Sequence, residues 1–431
     1  MAGNSDVLVI GGGAAGIAAA RDLSNAGLSV TVLEARDRLG GRIFTDHTPG
    51  FPVELGAEFI HGRSPDIHGP ADRAHLEIAR VTGEMRSRKN GEWEHPGNVM
   101  GEVNHLFENM PASPPDQTFQ QYIERSTYSS ETTQLALRFV EGFHAADPER
   151  VSIHWLIRTT KAEEEIDGER SYRLRHGYDG LIRALANEIK QDYCSIYLDS
   201  VVKEIRWRRR EVTAVTETNE FAAARAIVTL PLGVLKAKQV RFTPELPAQK
   251  AQAMLGVETG PVIRVVLCFA EKFWDKFPET HNLSFLFSDD PQFPTWWTSN
   301  PLPYPILTGW AAARYARALA GLSHDELILS AVESLERILP LDESGLSAQL
   351  RHGFVHDWQA DPYARGAYSY VVKGGLGAPL ALAEPVGNTL FFAGEATNKE
   401  GHNGTVHGAI SSGKRAAEEI IRASSLQHGR V

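Results

Sequence analysis

The chain has 431 residues, 42% of them hydrophobic, enough to bury a sizeable core and to make two domains the expectation. Its 44 Lys and Arg against 54 Asp and Glu give a formal charge of −10, which argues against nucleic acid as the main partner and favours cationic ligands only weakly. Cys194 and Cys268 are the only cysteines, with no C-x-x-C and no Cys/His metal spacing. They read as reduced core thiols of a cytoplasmic protein, and no metal is expected. Residues 1–5 leave no room for a leader before the first strand, and no apolar run approaches ~20 residues, so neither export nor a membrane anchor is expected.

In chain order, the apolar run from Asp6 to Ile10 reads as a buried strand and leads into Gly11-Gly12-Gly13-Ala14-Ala15-Gly16. Helix formers from Ile17 to Ala26 follow, Gly27 stops them, and Leu28 to Leu33 is a second strand ending at Glu34. A lone G-x-G-x-x-G is weak evidence, but this one has the strand–turn–helix–strand context of a dinucleotide-binding unit. Gly11 permits the tight turn, Gly13 lets backbone approach a pyrophosphate beside Ala14 and Ala15, and Gly16 lets the helix pack on the strand. The helix N-terminus offers free N–H groups and a positive dipole end to phosphate. Glu34 falls 18 residues after Gly16, where a carboxylate accepts ribose hydroxyls and repels a 2′-phosphate, so NADP is disfavoured.

The next stretch, Glu34-Ala35-Arg36-Asp37-Arg38-Leu39-Gly40-Gly41-Arg42, could be an ordinary charged surface loop. A glycine pair beside arginine also suits a second backbone approach to a pyrophosphate, with guanidinium neutralising it. Together with G-x-G-x-x-G and with Val53-Glu54-Leu55-Gly56-Ala57-Glu58-Phe59-Ile60-His61-Gly62, it resembles the flavin-containing amine oxidases. That family includes monoamine and polyamine oxidases and the lysine-specific histone demethylases. The resemblance implies FAD, held by Gly11, Gly13, Gly16, Glu34, Ala35, Arg36, Gly41, Arg42, Leu55, Gly56, Ala57 and Glu58.

Further on, His75 to Val81 suggests a helix, the Pro-, Gly- and Asn-rich span 97–116 a loop, and Thr118 to Phe143 one or two amphipathic helices. Ala162 to Arg170 is a charge run suited to a solvated helix end or loop. Arg175 to Leu181 resumes the family pattern, followed by a helix over Leu181 to Ile189 and a strand over Ser200 to Trp207. Val202 stands where the family makes a backbone contact to adenine, although a plain core strand residue fits equally well. Phe221 to Leu230 is a strand entering a turn that resembles the family's return to the FAD domain, which implies that this domain is discontinuous. Val262 to Trp274, Leu307 to Ala313 and Leu350 to Trp358 supply strands of a substrate domain, with a helix over Asp325 to Leu339. Asn388 to Thr397 reads as a buried strand, and Thr405-Val406-His407-Gly408-Ala409-Ile410 opens a closing helix to Ile421.

The expected architecture is α/β: a discontinuous Rossmann-type FAD-binding domain (1–76, 178–254 and 362–431) and an α+β substrate domain with a mixed sheet (77–177 and 255–361). The resemblance implies hydride transfer from the carbon beside an amine to the flavin N5, giving an imine that water hydrolyses. O2, with hydrogen peroxide as product, or another acceptor would then reoxidise the flavin. The substrate would be a small-molecule amine, polyamine or amino acid, and the protein a monomer or homodimer. By similarity, Trp358 and Tyr363 lie against the flavin, and Tyr368 forms one wall of an aromatic cage; taken alone, this stretch reads as a strand of core aromatics. Ala367 occupies the place of the cysteine that monoamine oxidases bond to flavin, so the FAD is expected to be non-covalent.

The cage's opposite wall falls at Thr405 where many relatives have tyrosine, which suggests a bulkier or secondary amine. Gly394, Glu395, Val406 and Ala409 belong to the same cofactor region. His61 matches a position where polyamine oxidases place a polar residue facing the amine, although a structural histidine fits as well, and an unperturbed imidazole there would titrate near neutral pH. Arg264 stands where the family has a lysine holding a water near the flavin N5. Arginine there is compatible with holding that water, with pairing a substrate carboxylate, with slowing oxygen, or with an outward-facing strand residue. A flavin-dependent C–C desaturase and a redox-silent FAD scaffold remain competing readings.

Overall fold

The computed structural model describes residues 5–94, 97–339 and 345–428. Its first sheet has a parallel half in the order Cys194–Tyr197, Val30–Leu33, Ser5–Ile10, Glu220–Val228, with Leu390–Phe392 also parallel to Glu220–Val228. Register sets the site: Ile10 is level with Leu33 and Val228, and Val228 with Phe392. The chain therefore leaves four strands at one edge, placing Gly11, Glu34, Thr229 and Ala393-Gly394 together at their carboxyl ends. That edge is where open parallel sheets bind ligands. Glu211–Val215, Glu204–Arg208 and Arg241–Thr243 extend the sheet away from it.

The helix Ala14–Asn25 packs alongside the closing helix Val406–His428. The two approach so closely that a Cβ on Gly413 would stand 2.1 Å from the Ala15 carbonyl. Their N-termini thus face the same edge. A second sheet runs Leu350–Asp357, Val262–Phe269, Ile306–Ala312, Thr295–Thr298, Leu283–Ser288, Glu84–Lys89, Glu92–Glu94. Every residue of Val262–Phe269 is buried, as suits an interior strand flanked by Leu350–Asp357 and Ile306–Ala312. The fold is the expected α/β arrangement with a second, mixed sheet.

Several local expectations give way. The helix lies at Pro65–Arg73, capped by Ser64, while Ile78–Arg80 is a strand paired with Ser171–Leu174. Leu76 and Ile78 fit either period, and the partner strand Ser171–Leu174 decides for the extended one. Gly97–Glu108 is a helix rather than a loop; Val103 and Leu106 point into the core, with Met110 just past its end, and the prolines come only afterwards. The strand expected from Ser200 begins at Glu204, and Ser200–Lys203 run along the cavity wall instead. Val262–Phe269 stops short of Phe273–Lys276, a 3-10 turn, and only Leu390–Phe392 of the 388–397 stretch is strand.

Lys250, buried in the helix Ala248–Leu255, sends its Nζ to the carbonyls of Ala381 (3.0 Å), Leu382 (2.6 Å) and Glu384. It thereby caps the C-terminal end of Ala378–Ala383, where free carbonyls collect and a cation is favoured. Replacing Lys250 with Met keeps the stem's packing but strips these carbonyls of their donor. Urea unfolding is expected to show a loss of about 1–3 kcal/mol, with FAD binding retained.

Candidate active site

The sheet edge opens into one continuous cavity of about 1630 Å³. Pockets for a single small ligand run to roughly 1,000 Å³, so this one has room for a dinucleotide and a substrate together. One end is built from the glycine turn. Gly11 has φ +110°, and a Cβ on Gly16 would stand 1.9 Å from the Gly11 carbonyl, so Gly16 serves helix–strand packing and does not reach the cavity. Glu34, 4% exposed, accepts N–H groups from Gly12 (2.6 Å) and Arg36 (2.9 Å) and faces the cavity with Ala35 and Val202. Gly40 donates to the Gly12 carbonyl, bringing the second glycine pair against the first. Gly11, Gly13, Ala14, Ala15, Gly41 and Arg42 line the space between.

The middle of the cavity is tied by one ion pair. Arg42 Nη1 donates to Glu395 Oε1 (2.9 Å) and to the Ala367 carbonyl (2.7 Å). The other oxygen of Glu395 accepts from Gly404 N (2.9 Å) and Ser369. Trp358 Nε1 donates to the Leu55 carbonyl (2.9 Å), which puts its ring over Gly56 and leaves Leu55 behind the wall. Arg36, bonded to Asp361 at 2.7 Å, lies 5.4 Å from the centre of the Tyr363 ring. Burial pushes the Asp361 carboxyl up, but hydrogen bonds from His356 and Arg36 outweigh this and hold it well below the usual carboxylate range. Gly56, Ala57, Glu58, Trp358, Tyr363, Gly394, Thr405, Val406 and Ala409 all line the cavity.

Beyond Trp358 and Tyr368 the walls become aromatic. Tyr368 donates its hydroxyl to the Phe143 carbonyl (2.7 Å), and His61 meets the Phe143 ring edge-on at 5.4 Å. Phe59, Phe139, Phe285, Trp297 and Trp310 complete the chamber. Shielding from water pulls His61 down to about 4, and His144 and His407 to about 3, so all three are uncharged at neutral pH. His61 therefore does not titrate near neutrality as an unperturbed imidazole would. The Thr405 hydroxyl donates to the His402 carbonyl (2.8 Å) and accepts from Gly408 N (3.0 Å), capping the closing helix. Toward the surface the wall carries Glu163, Glu164, Asp167 and Glu169 alongside Lys161, with Arg170 paired to Asp167 (3.6 Å) and Glu169 (3.9 Å), and burial lifts Glu163 to about 7.

Arg264 lies inside, 3% exposed, and donates to the Gly56 carbonyl (2.8 Å) and to Glu58. Its Nη atoms are thereby committed, and the outward-facing reading of this residue is corrected. Arg173, Glu54, Phe143, His144 and Trp297 escaped the sequence reading, because nothing local marks a residue whose role comes from a distant partner. Among the described residues no helix is long and apolar enough to cross a membrane, and no group of three or more His, Cys, Asp or Glu is placed to hold a metal.

A family model described as flavin containing amine oxidoreductase matches residues 14–131 and 116–421. Polyamine oxidase 5 of Oryza sativa subsp. japonica is 32% identical over 98% of this chain and 89% of its own. Lysine-specific histone demethylase 2 of Homo sapiens is 28% identical over 97% of this chain, which spans 53% of that larger protein. Among solved structures, a putrescine oxidase bound to putrescine superposes with a TM-score of 0.83 at 23% identity, covering 97% of this chain and 99% of its own, a likeness of fold. A Cβ on Gly56 would stand 2.0 Å from the Arg42 carbonyl and 3.1 Å from the Trp358 ring. Gly56→Ala is accordingly expected to displace both, costing about 1–3 kcal/mol and lowering the flavin-to-protein absorbance ratio of the purified protein.

Proposed function

The chain belongs to the flavin containing amine oxidoreductases and is an enzyme that uses non-covalent FAD to oxidise an amine; on that premise we propose that its substrate is a secondary amine of polyamine type. The observation that carries this reading is the change of character along one cavity, from an acidic mouth to an uncharged aromatic chamber. The mouth at Glu163, Glu164, Asp167 and Glu169 attracts cationic amines and gives a distal ammonium a partner. The chamber, with its neutral histidines, favours the reacting nitrogen in the unprotonated form, the one that can release hydride. The absence of a tyrosine at Thr405 leaves one wall open, which suits a nitrogen carrying two carbon chains. An amino acid fits less well, since the Arg264 Nη atoms are already engaged by Glu58 and Gly56.

Gly13, Ala14 and Ala15 would offer backbone to the pyrophosphate, Glu34 and Val202 would hold the ribose and adenine end, and Trp358 and Tyr363 would flank the ring. These groups fit a dinucleotide: a Cβ on Gly13 would meet nothing nearer than the Gly40 carbonyl at 3.9 Å, which leaves bare backbone open to a ligand, and Glu34 accepts the Gly12 N–H just before the helix N-terminus. FAD so held supplies the hydride acceptor. The chain's own part is to orient the amine against Tyr368 and Phe143, exclude bulk water, and keep the reacting nitrogen unprotonated. Nothing here calls for a nucleophile. We assign residues 1–76, 178–254 and 362–431 to the FAD-binding domain and 77–177 and 255–361 to the substrate domain. Membership of the two sheets supports that division.

We would test this by adding polyamines, monoamines and amino acids to the purified protein without oxygen and following flavin bleaching. The expected result is bleaching by polyamines with internal secondary amines, and faintly or not at all by benzylamine-like primary amines or amino acids. A preference for small primary arylalkylamines would sink the proposal. Admitting air tests the acceptor: rapid return of colour with hydrogen peroxide marks an oxidase. With arginine at 264 this return is expected to be slower than in Arg264→Lys, which restores the residue of the family resemblance. Equal rates in the two proteins would make residue 264 incidental to oxygen.

A further inference from the structure

Behind Gly56 lies a buried charge cluster. Glu58 receives Arg264 on one carboxylate oxygen and Arg173 on the other, and Trp297 Nε1 joins at 3.0 Å. The three charged side chains are 4%, 5% and 8% exposed for Arg264, Arg173 and Glu58. Only Arg264 and Glu58 border the cavity; Arg173 stands behind, donating to the Thr298 carbonyl (2.8 Å) and covered by the Phe59 ring at 4.4 Å. Arg264 Nε is buried with no protein partner, on a residue that lines the cavity.

Two guanidiniums against one carboxylate leave an uncompensated positive charge. Burial draws both arginines down to about 9, so they stay charged at neutral pH, and it lifts the neighbouring Glu54 to about 7, so that carboxyl supplies only a fractional counter-charge. A buried charge is screened weakly and acts over longer distances than a surface one.

We infer that Glu58 and Arg173 are positioning residues: they fix the Arg264 guanidinium on the cavity wall and give the cluster a net positive charge that favours the reduced, negatively charged form of the bound flavin. Charge near the ring is one of the few means by which a protein tunes this cofactor. The inference rests on FAD binding and not on the identity of the amine.

The test is the two-electron reduction potential of the holoenzyme, titrated with a chemical reductant against a reference dye so that no amine enters. Arg173→Met removes one positive charge from outside the cavity and is expected to disfavour reduction by about tenfold, ~30 mV for a two-electron couple. Glu58→Gln is expected to shift it upward, and the double variant, which restores the net charge, to return near the starting potential. Arg264→Lys is expected to keep it and Arg264→Met to lower it. That pair decides the matter if Glu58→Gln fails to retain FAD. A merely structural cluster would alter stability and FAD retention but leave the potential unmoved. Unchanged potentials in Arg173→Met and Arg264→Met, or shifts that ignore the sign of the charge removed, would overturn the inference.

Discussion

The common level at which four parallel strands end is the constraint on which the rest depends. Ile10, Leu33, Val228 and Phe392 share one register, so the residues that follow them arrive at one edge whatever their distance in sequence. Backbone hydrogen bonding enforces this level, and a one-residue slip would send every side chain of a strand to the opposite face of the sheet. The glycine turn, Glu34 and Gly394 are functional neighbours because of that arithmetic, and two helix N-termini face the same opening for the same reason.

On this frame a few long-range polar contacts fix the finer geometry. Arg42 and Glu395 are 353 residues apart and 2.9 Å distant, and Glu395 in turn gathers Ser369 and Gly404. Trp358 reaches across 303 residues to the Leu55 carbonyl. Both contacts draw distant segments of the chain together in the middle of the cavity. Charge is divided along the same cavity. Acidic groups stand at the mouth, neutral histidines and aromatics lie within, and two buried arginines sit against a single carboxylate at the Gly56 wall.

Where a backbone geometry admits one residue type, the sequence was readable. Gly11 and Gly16 announce their turn because a side chain would be strained at a positive φ and meet the Thr229 hydroxyl at the first, and would collide with the Gly11 carbonyl at the second; the short, branched apolar run before them suits a strand. Short amphipathic stretches were less so: Leu76 and Ile78 fit either period until a partner strand is supplied, and glycine and asparagine counts hid the helix that Val103 and Leu106 betray. The second arginine of the buried cluster was invisible. Arg173 sits among other arginines in a polar stretch, and only the fold brings it to Glu58. The Thr405 hydroxyl likewise serves a helix cap that a motif alone does not reveal.

The close docking of the helix Ala14–Asn25 against Val406–His428 bears on how such a protein is made. The nucleotide-binding turn is synthesised well before its neighbouring helix, and Glu395 follows its partner Arg42 by 353 residues. Until then the turn is an incomplete socket with its apolar helix face uncovered, dependent on chaperones or on local compaction. A chain lacking the closing helix is therefore expected to hold the cofactor poorly and to be the form most open to proteolysis.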